Sequence, residues 1–198
     1  MTVAITIEDG PRHLDEIVPL LATYDVKATF FFNGINFNFG ANLPDHVRTA
    51  YNAGHQIASH GWVHRDMRGT SLTYTEKIDN ILREENFMLN VIGKVPRYFR
   101  FPDAAYDDAA LQITNSLGKV VVGYNLDTKD AVHRSTKEAM DIVLARYNEE
   151  PGGSFIQVTV EWLDNYAEIL AQSVEFWLFR GFTFVTMEEC TGAGPAYE

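Results

Sequence analysis

The sequence is poor in cysteine, in basic residues and in long apolar runs, and each shortage excludes a class of protein. The single cysteine, Cys190, cannot form a disulfide within the chain and excludes a zinc site built from thiolates. The apolar runs are far too short to span a bilayer, so we expect no membrane-spanning segment. With 16 Lys and Arg against 27 Asp and Glu, the formal net charge is -11. That charge disfavours nucleic acid and anionic membranes as partners, because phosphate binding needs clustered positive charge.

The rest of the composition is typical of a globular, folded chain. The 198 residues are 46% hydrophobic and 13% aromatic, which is enough for a substantial core. We expect one domain, residues 1–198. No export signal is visible before a strand-like segment that begins at Val3. We therefore expect either a cytoplasmic protein or one whose leader was removed.

Short runs of β-branched and aromatic residues alternate with longer amphipathic stretches. The runs predict seven strands, at Val3–Ile7, Ala28–Phe32, Gln56–Ser59, Tyr98–Phe101, Val120–Tyr124, Phe155–Val158 and Thr183–Thr186. The amphipathic stretches predict helices at Leu14–Tyr24, Pro44–Asn52, Thr73–Ile92, Asp107–Ser116, Lys137–Asn148 and Leu163–Arg180. Such alternation indicates an α/β fold with parallel strands, either a (β/α) barrel or a doubly wound open sheet. In both folds, functional residues follow the carboxyl ends of the strands.

Two of these strand ends carry residues suited to a metal. Glu8 and Asp9 follow the first predicted strand, and they form either an ordinary acidic turn or a pair of carboxylates in one site. His60 and His64 follow the third strand, and imidazoles four residues apart can hold one metal ion from a single helical turn. Such a spacing also arises by chance. A histidine in the core is the other interpretation, and it is the one that we favour for His55.

The later strand ends add an arginine and further acids. Arg100 ends a predicted strand among apolar residues, so it requires a carboxylate partner. The acids that follow predicted strands are Asp103, Asp127, Asp130 and Glu161. Acids, two histidines and an arginine at five strand ends together indicate a metal-assisted hydrolytic site.

Several segments of the sequence, taken in order along the chain, resemble those of the polysaccharide deacetylase family. This family, carbohydrate esterase family 4, contains chitin deacetylases and peptidoglycan deacetylases. The similar segments are Thr6–Pro11, Ala28–Gly34, Ser59–His64, Arg100–Pro102, Asp127–Asp130, Gly153–Ile156 and Gly181–Thr186. They cover nearly the whole chain, and fungal chitin deacetylases are the most similar in pattern. Glu189-Cys190 also resembles the end of fungal members, whose Cys pairs with one near the N-terminus that is absent here.

The resemblance implies a distorted or incomplete (β/α) barrel that removes N-acetyl groups from chitin or another N-acetylglucosamine polymer. It implies a divalent metal, zinc most often and cobalt as an alternative, with Asp9, His60 and His64 as ligands. This donor set also suits zinc on chemical grounds. A carboxylate then takes the proton of the attacking water, a backbone N–H binds the oxyanion, and a histidine protonates the leaving amine. The resemblance also implies a monomer that is secreted or located in the cell wall, while a cytoplasmic location stays open.

The chain departs from the family pattern at the residues that activate water and bind the oxyanion. The family's base is an Asp, and Glu8 stands in its place, with Arg100 to orient it. The Tyr after the Arg-x-Pro motif is replaced by Asp103. Its backbone N–H can still bind an oxyanion, but its carboxylate would oppose the negative charge.

A second group of departures concerns the proton that the leaving amine needs. Counted from Gly153-Ser154, the family's catalytic His falls on Thr159, which cannot act as an acid near neutral pH. Asp130 is then left without the His that it would tune, and His133 is a less suitable substitute. The loss of a general acid typically costs about 10² to 10⁴-fold in rate. The aromatic residue that usually follows the fourth motif is Ala131, so a wall of the acetyl pocket is missing.

Two functions therefore remain open. The first is a metal-dependent N-deacetylase, slow or altered in its substrate. The second is a catalytically inactive homologue that binds metal and carbohydrate. Trp62 and Trp162 are either sugar-stacking residues of the cleft or, more commonly for tryptophan, part of the core.

Overall fold

Strands and helices alternate through the chain. The structure is a computed structural model that describes residues 1–10, 12–34 and 43–198. The strands are β1 (Thr2–Glu8), β2 (Thr29–Phe32), β3 (Gln56–Ser59), β4 (Tyr98–Phe99), β5 (Val120–Val121), β6 (Leu126–Asp127), β7 (Phe155–Val160) and β8 (Thr183–Phe184). The helices are α1 (Leu14–Thr23), α2 (Leu43–Asn52), α3 (Tyr74–Ile92), α4 (Asp108–Ser116), α5 (Asp130–His133), α6 (Thr136–Glu149), α7 (Tyr166–Phe179) and α8 (Met187–Thr191). None of the helices within these ranges is long and apolar enough to cross a membrane.

The sheet is a curled, incomplete barrel. Its order is β5-β4-β3-β2-β1-β7-β6, and each ladder between these strands is parallel. β8 pairs with the first residues of β1, and β2 pairs with the last ones. The path stays open between β5 and β6. The prediction of an α/β incomplete barrel is confirmed, and the doubly wound alternative is wrong.

Side chains alternate between the barrel interior and the layer of helices. On β1, Val3, Ile5 and Ile7 pack in the core beneath the helices, whereas Ala4 packs with interior residues of the other strands. Side chains of directly paired residues in a parallel ladder face the same side. Glu8 therefore faces the interior, together with its β7 partner Val160.

Helix α3 is defined by its own residues at both ends, which explains why it was predicted almost to the residue. Thr73 and Glu76 form a capping box at its start, and Gly93 ends it with a left-handed φ of 68°. The buried Asn80 and Glu84 on this helix contact the end of β3 and the turn after it.

Three elements were not predicted: β6, α5 and α8. β6 has two residues and α5 has four, which is too short for a periodic pattern. Helix α8 fills the amino-terminal end of the barrel, where Met187 packs with the interior residues Ala4, Phe31, Ala58 and Tyr98. The opposite end, at the carboxyl ends of the strands, is left for a cleft.

Candidate active site and metal centre

A cleft of about 700 Å³ opens at the carboxyl ends of the strands. It is lined by residues of the strand ends and the loops after them: Glu8, Asp9, Arg12, His64, Asp103, Ala104, Tyr124, Asp127, Lys129, Asp130, Ala131, Val158, Thr159, Val160 and Trp162. His60 and Arg100 are buried and make contacts with Glu8. The structure therefore brings all the predicted site residues to one end of the barrel.

Glu8 is held by a buried arginine. Arg100 is 2% exposed, and its Nη1 donates to Glu8 Oε1 at 3.1 Å and to Thr6 Oγ1 at 2.7 Å. Its Nη2 donates to the carbonyl of Gly123 at 2.8 Å. Burial raises the pKa of Glu8, and the charge of Arg100 partly opposes that rise. The carboxylate partner that the sequence required for Arg100 is thus Glu8.

Asp9, His60 and His64 form a compact group of three metal donors. Within the described ranges, their ligand atoms lie within 4.8 Å of one another. Asp9 Oδ1 is 3.7 Å from His60 Nε2 and 3.5 Å from His64 Nε2. Donors at about 2.0–2.1 Å from a tetrahedral zinc ion lie about 3.3 Å apart. The two distances from Asp9 are therefore close to what zinc requires.

The protonation of His60 also fits a metal. Its Nδ1 donates to the carbonyl of Arg100 at 2.8 Å, which leaves a lone pair on Nε2. Nε2 is buried and has no hydrogen-bond partner among the described residues. Burial lowers the pKa of His60 to about 4, so the ring is neutral. A neutral imidazole whose free nitrogen faces Asp9 and His64 is the form that binds a metal.

The turn that carries both histidines is held by α3. Ser59 Oγ donates to the buried Glu84 carboxylate at 2.9 Å. Asn80 Oδ1 accepts the N–H of Val63 at 2.6 Å. Gly61, with φ of 81°, lies so close that a Cβ would be 2.7 Å from Asn80 Nδ2. Glycine is therefore required here, and the spacing of His60 and His64 is set by helix contacts.

Two site acids have left-handed backbones, which are uncommon outside glycine. Asp9 has φ of 67° and Asp103 has φ of 53°. Such conformations are costly and need support from their surroundings. Asp103 lies in a 3₁₀ turn, Pro102–Ala104, with its side chain 71% exposed and Oδ2 3.9 Å from His64 Nδ1. The carboxylate at the family's Tyr position thus lies beside a candidate ligand and is largely hydrated.

The sequence aligns the family's catalytic His with Thr159, whereas the pairing of β7 with β1 places Val160 opposite Glu8. Thr159 pairs with Ile7 and faces the helices, and its hydroxyl lies 2.7 Å from that of Tyr166 on α7. Val160 pairs with Glu8, faces the interior and is 8% exposed. Val160 therefore occupies the β7 position that faces Glu8.

Asp130 lies beside this position. Its carboxylate accepts the N–H of Val160 at 3.1 Å and that of Ala131 at 3.0 Å. Burial raises its pKa to about 6. The acid expected to tune a histidine thus contacts the backbone of Val160, while the exposed His133 lies further along α5.

Several cleft residues were missed or left open by the sequence. Arg12 and Tyr124 line the cleft and carry no motif signal. Trp162 lines it with the Arg134 guanidinium 5.0 Å from its ring centroid, whereas Trp62 packs edge-on against Phe87 outside the lining. Of the two tryptophans, only Trp162 is in position to contact a ligand in this cleft.

Two assignments outside the cleft are settled by burial and bonding. His55 is 3% exposed and its Nδ1 accepts the N–H of Ala28 at 3.2 Å, which confirms a core histidine. Cys190 is a free, half-buried thiol.

Comparison with known proteins identifies the family. The family described as Polysaccharide deacetylase matches residues 1–122. The chain therefore belongs to the polysaccharide deacetylase family, as the sequence motifs predicted. A chitin deacetylase of Pestalotiopsis sp is 29% identical over 196 residues, which cover 98% of this chain and 65% of that protein. The chain thus spans slightly less than two thirds of that relative.

Solved structures show the same fold. The chitin deacetylase from Colletotrichum lindemuthianum superposes with a TM-score of 0.87 at 28% identity, over 100% of this chain and 91% of that chain. A pseudoenzyme of the same family from Bacillus anthracis superposes with a TM-score of 0.80 at 20% identity, over 95% of this chain and 64% of that chain. The incomplete barrel is thus shared by one protein described as a chitin deacetylase and one described as a pseudoenzyme.

Proposed function

We propose that this protein is a slow, metal-dependent N-deacetylase of chitin-type N-acetylglucosamine polymers. One observation carries the proposal. The Asp9–His60–His64 group lies next to an oriented base, with Glu8 Oε2 3.8 Å from His60 Nε2. A metal site with an adjacent carboxylate is the arrangement that hydrolyses amides.

The donor set favours zinc, with cobalt as a substitute. Asp9, His60 and His64 would hold the ion and leave positions open for water and substrate. When bound, the ion polarises the acetyl carbonyl and lowers the pKa of water. The neutral His60 ring and its bond to the carbonyl of Arg100 fit this role.

Glu8 is assigned as the general base. Arg100 holds Oε1, and Oε2 is the oxygen on the His60 side. Burial raises the pKa of Glu8, which makes its carboxylate a better proton acceptor for water. The N–H of Asp103 is assigned to the oxyanion, as the motif predicts, with the hydrated carboxylate exerting a weak opposing field.

On β7, the residue that faces Glu8 is not an acid that could protonate the leaving amine. Val160 faces Glu8 from β7 and carries no proton. We assign the delivery of the proton to Glu8 itself, which returns to the amine the proton that it took from water. A single carboxylate serving both steps is slower than an acid placed for the purpose, by about 10² to 10⁴-fold.

The substrate assignment rests on the relatives and on the cleft. Two of the relatives compared above are described as chitin deacetylases. Trp162 offers an indole ring at the cleft, which is suited to stacking on a sugar. A cleft of about 700 Å³ has room for a sugar unit of a chain. A polymer of this kind implies action outside the cell or in its wall.

A second candidate function is the binding of metal and carbohydrate without turnover. It is favoured by the presence of Val160, which cannot donate a proton, at the position of β7 that faces Glu8. A pseudoenzyme with this fold exists in the family. Such a protein would keep the metal group and the cleft and release no acetate.

One experiment separates the two functions. Zinc-loaded protein is incubated with chitin oligosaccharides, and released acetate is measured beside a Glu8→Gln variant and a chelated sample. We expect slow release that chelation and Glu8→Gln both abolish, with zinc restoring the chelated sample. Release no greater than that of Glu8→Gln, with oligosaccharide binding retained in calorimetry, would establish the binding function. Failure to bind zinc or oligosaccharide would refute both.

A further inference from the structure

Glu161 connects the end of β7 to the loop that follows β1. Its side chain is fully buried, and its carboxylate accepts the N–H of Arg12 at 2.7 and 2.8 Å through its two oxygens. Oε1 also accepts the N–H of His13. Its own backbone N–H donates to the carbonyl of Glu8 at 3.1 Å. Glu161 therefore holds the chain on both sides of Asp9.

This carboxylate replaces the local cap of a helix. Helix α1 begins at Leu14, and the side chain of its N-cap residue, His13, makes no capping hydrogen bond. The N–H groups at a helix start need acceptors and favour negative charge. Glu161 is 148 residues from His13 in the sequence and supplies both the acceptor and the negative charge. Its removal would therefore release the start of α1 from β7.

The Arg12 side chain also links the loop after β1 to the residues that follow β7. Its guanidinium donates to the carbonyl of Trp162 at 2.8 Å and to Asp164 Oδ1 at 3.0 Å. Gly10 closes the contact, since a Cβ there would lie 2.2 Å from Glu161 Oε2. A glycine is needed at this position because the carboxylate passes directly against the backbone.

The position of Asp9 depends on these contacts. Its φ of 67° is one that a non-glycine residue keeps only when neighbouring structure imposes it. Glu161 bonds to Glu8 before Asp9 and to Arg12 and His13 after it. The strained residue is thus held from both sides by one residue, through the backbone N–H of Glu161 before it and the Glu161 carboxylate after it.

We propose that Glu161 is a positioning residue, which fixes the β1–α1 loop so that Asp9 and Glu8 are placed for metal binding and water activation. It acts through backbone contacts and touches neither the substrate nor the reacting atoms. Its catalytic consequence rests on the proposed function, whereas its effect on metal binding can be measured independently.

The test compares Glu161→Ala and Glu161→Gln with a matched control. Zinc affinity is measured by calorimetry, and the visible absorption of the cobalt-loaded protein reports the geometry of the ligands. We expect Glu161→Ala to weaken zinc binding by about 10 to 100-fold and to alter the cobalt spectrum. Glu161→Gln keeps one oxygen acceptor and should lie between the wild type and Glu161→Ala.

Glu189→Ala is the control. Glu189 caps α8 through Thr186, at the amino-terminal end of the barrel, so its loss should lower thermal stability and leave zinc affinity unchanged. If Glu161→Ala lowers stability but leaves zinc affinity and the cobalt spectrum as in the wild type, Glu161 only stabilises the fold and the proposal is overturned.

Gly10→Ala provides a second route to the same contact if Glu161→Ala does not fold. The added methyl displaces the carboxylate without removing it, so zinc binding should again weaken. Unchanged zinc binding in this variant would overturn the proposal. If the wild type binds zinc and releases no acetate, the proposed function fails, while the metal measurements still decide the role of Glu161.

Discussion

Val160 is a residue whose replacement should raise the rate of acetate release. It faces Glu8 from β7, lines the cleft and accepts no proton, and its N–H already donates to Asp130 at 3.1 Å. A histidine at position 160 would place an imidazole beside a buried carboxylate on the side of the cleft that faces the base. Val160→His therefore supplies a candidate acid for the leaving amine.

The expected gain follows from general acid catalysis. A positioned acid contributes about 10² to 10⁴-fold, or roughly 3 to 5.5 kcal/mol of transition-state stabilisation. The introduced imidazole would be less precisely positioned than a native catalytic histidine. A misplacement of 1 Å lowers the rate on the order of a hundredfold. We therefore expect acetate release from chitin oligosaccharides to rise by about 10 to 100-fold.

Thr159→His is the matched control, because it introduces the same residue one position away. Thr159 faces α7 and its hydroxyl lies 2.7 Å from that of Tyr166, so the ring would be placed in the packed outer layer. We expect lower thermal stability and no gain in acetate release. A gain in Thr159→His together with none in Val160→His would refute the assignment of the two faces of β7.

Three further outcomes follow from individual contacts. Arg100→Lys cannot keep the hydrogen bonds of Arg100 to both Glu8 and Gly123, so denaturant titration should show a loss of about 2 kcal/mol and acetate release should fall about a hundredfold. Burial lowers the pKa of His55 to about 4 from about 6.5 in the unfolded chain. The unfolded state then takes up the proton first, so the stability is fully present above pH 6.5 and is lost as the pH falls toward 4. Between pH 7 and pH 5 the free energy of unfolding should drop by about 2 kcal/mol more in the wild type than in His55→Asn, and an equal drop in both would contradict the burial argument. Asp103→Asn removes a carboxylate whose side chain is 71% exposed, so solvent screening should limit the change in acetate release to about threefold or less.

The sequence predicted the residues of the site better than their orientation. Residues after parallel strands meet at one end of a sheet, so Glu8, Asp9 and His64 were expected to converge, and they line one cleft. The motif order then supplied the family, which the comparisons confirm. Neither argument depends on the exact register of any strand.

The sequence could not show which side chains of β7 face the barrel interior. In a strand with one exposed face, polar and apolar residues alternate and show which side chains point inward. Every residue of β7 except Ile156 is buried, so both faces are covered and the alternation is lost. Counting from Gly153-Ser154 pointed to Thr159, and the pairing with β1 was needed to show that Val160 is the residue of β7 opposite Glu8.

The placement of the altered residues suggests that water activation and amine protonation can be separated in this site. Under the proposed function, the Asp9–His60–His64 group and the Glu8–Arg100 pair would activate water, whereas Val160 would affect the proton delivered to the amine. An ester with a nitrophenolate leaving group needs no such proton, because the group leaves as an anion. Wild-type protein should therefore cleave 4-nitrophenyl acetate in a zinc-dependent, Glu8-dependent manner. Val160→His should raise acetate release from chitin oligosaccharides while changing ester cleavage by no more than about threefold. Equal gains on both substrates would show that the histidine acts on water or on the oxyanion, and the assignment of Val160 to the acid position would then be wrong.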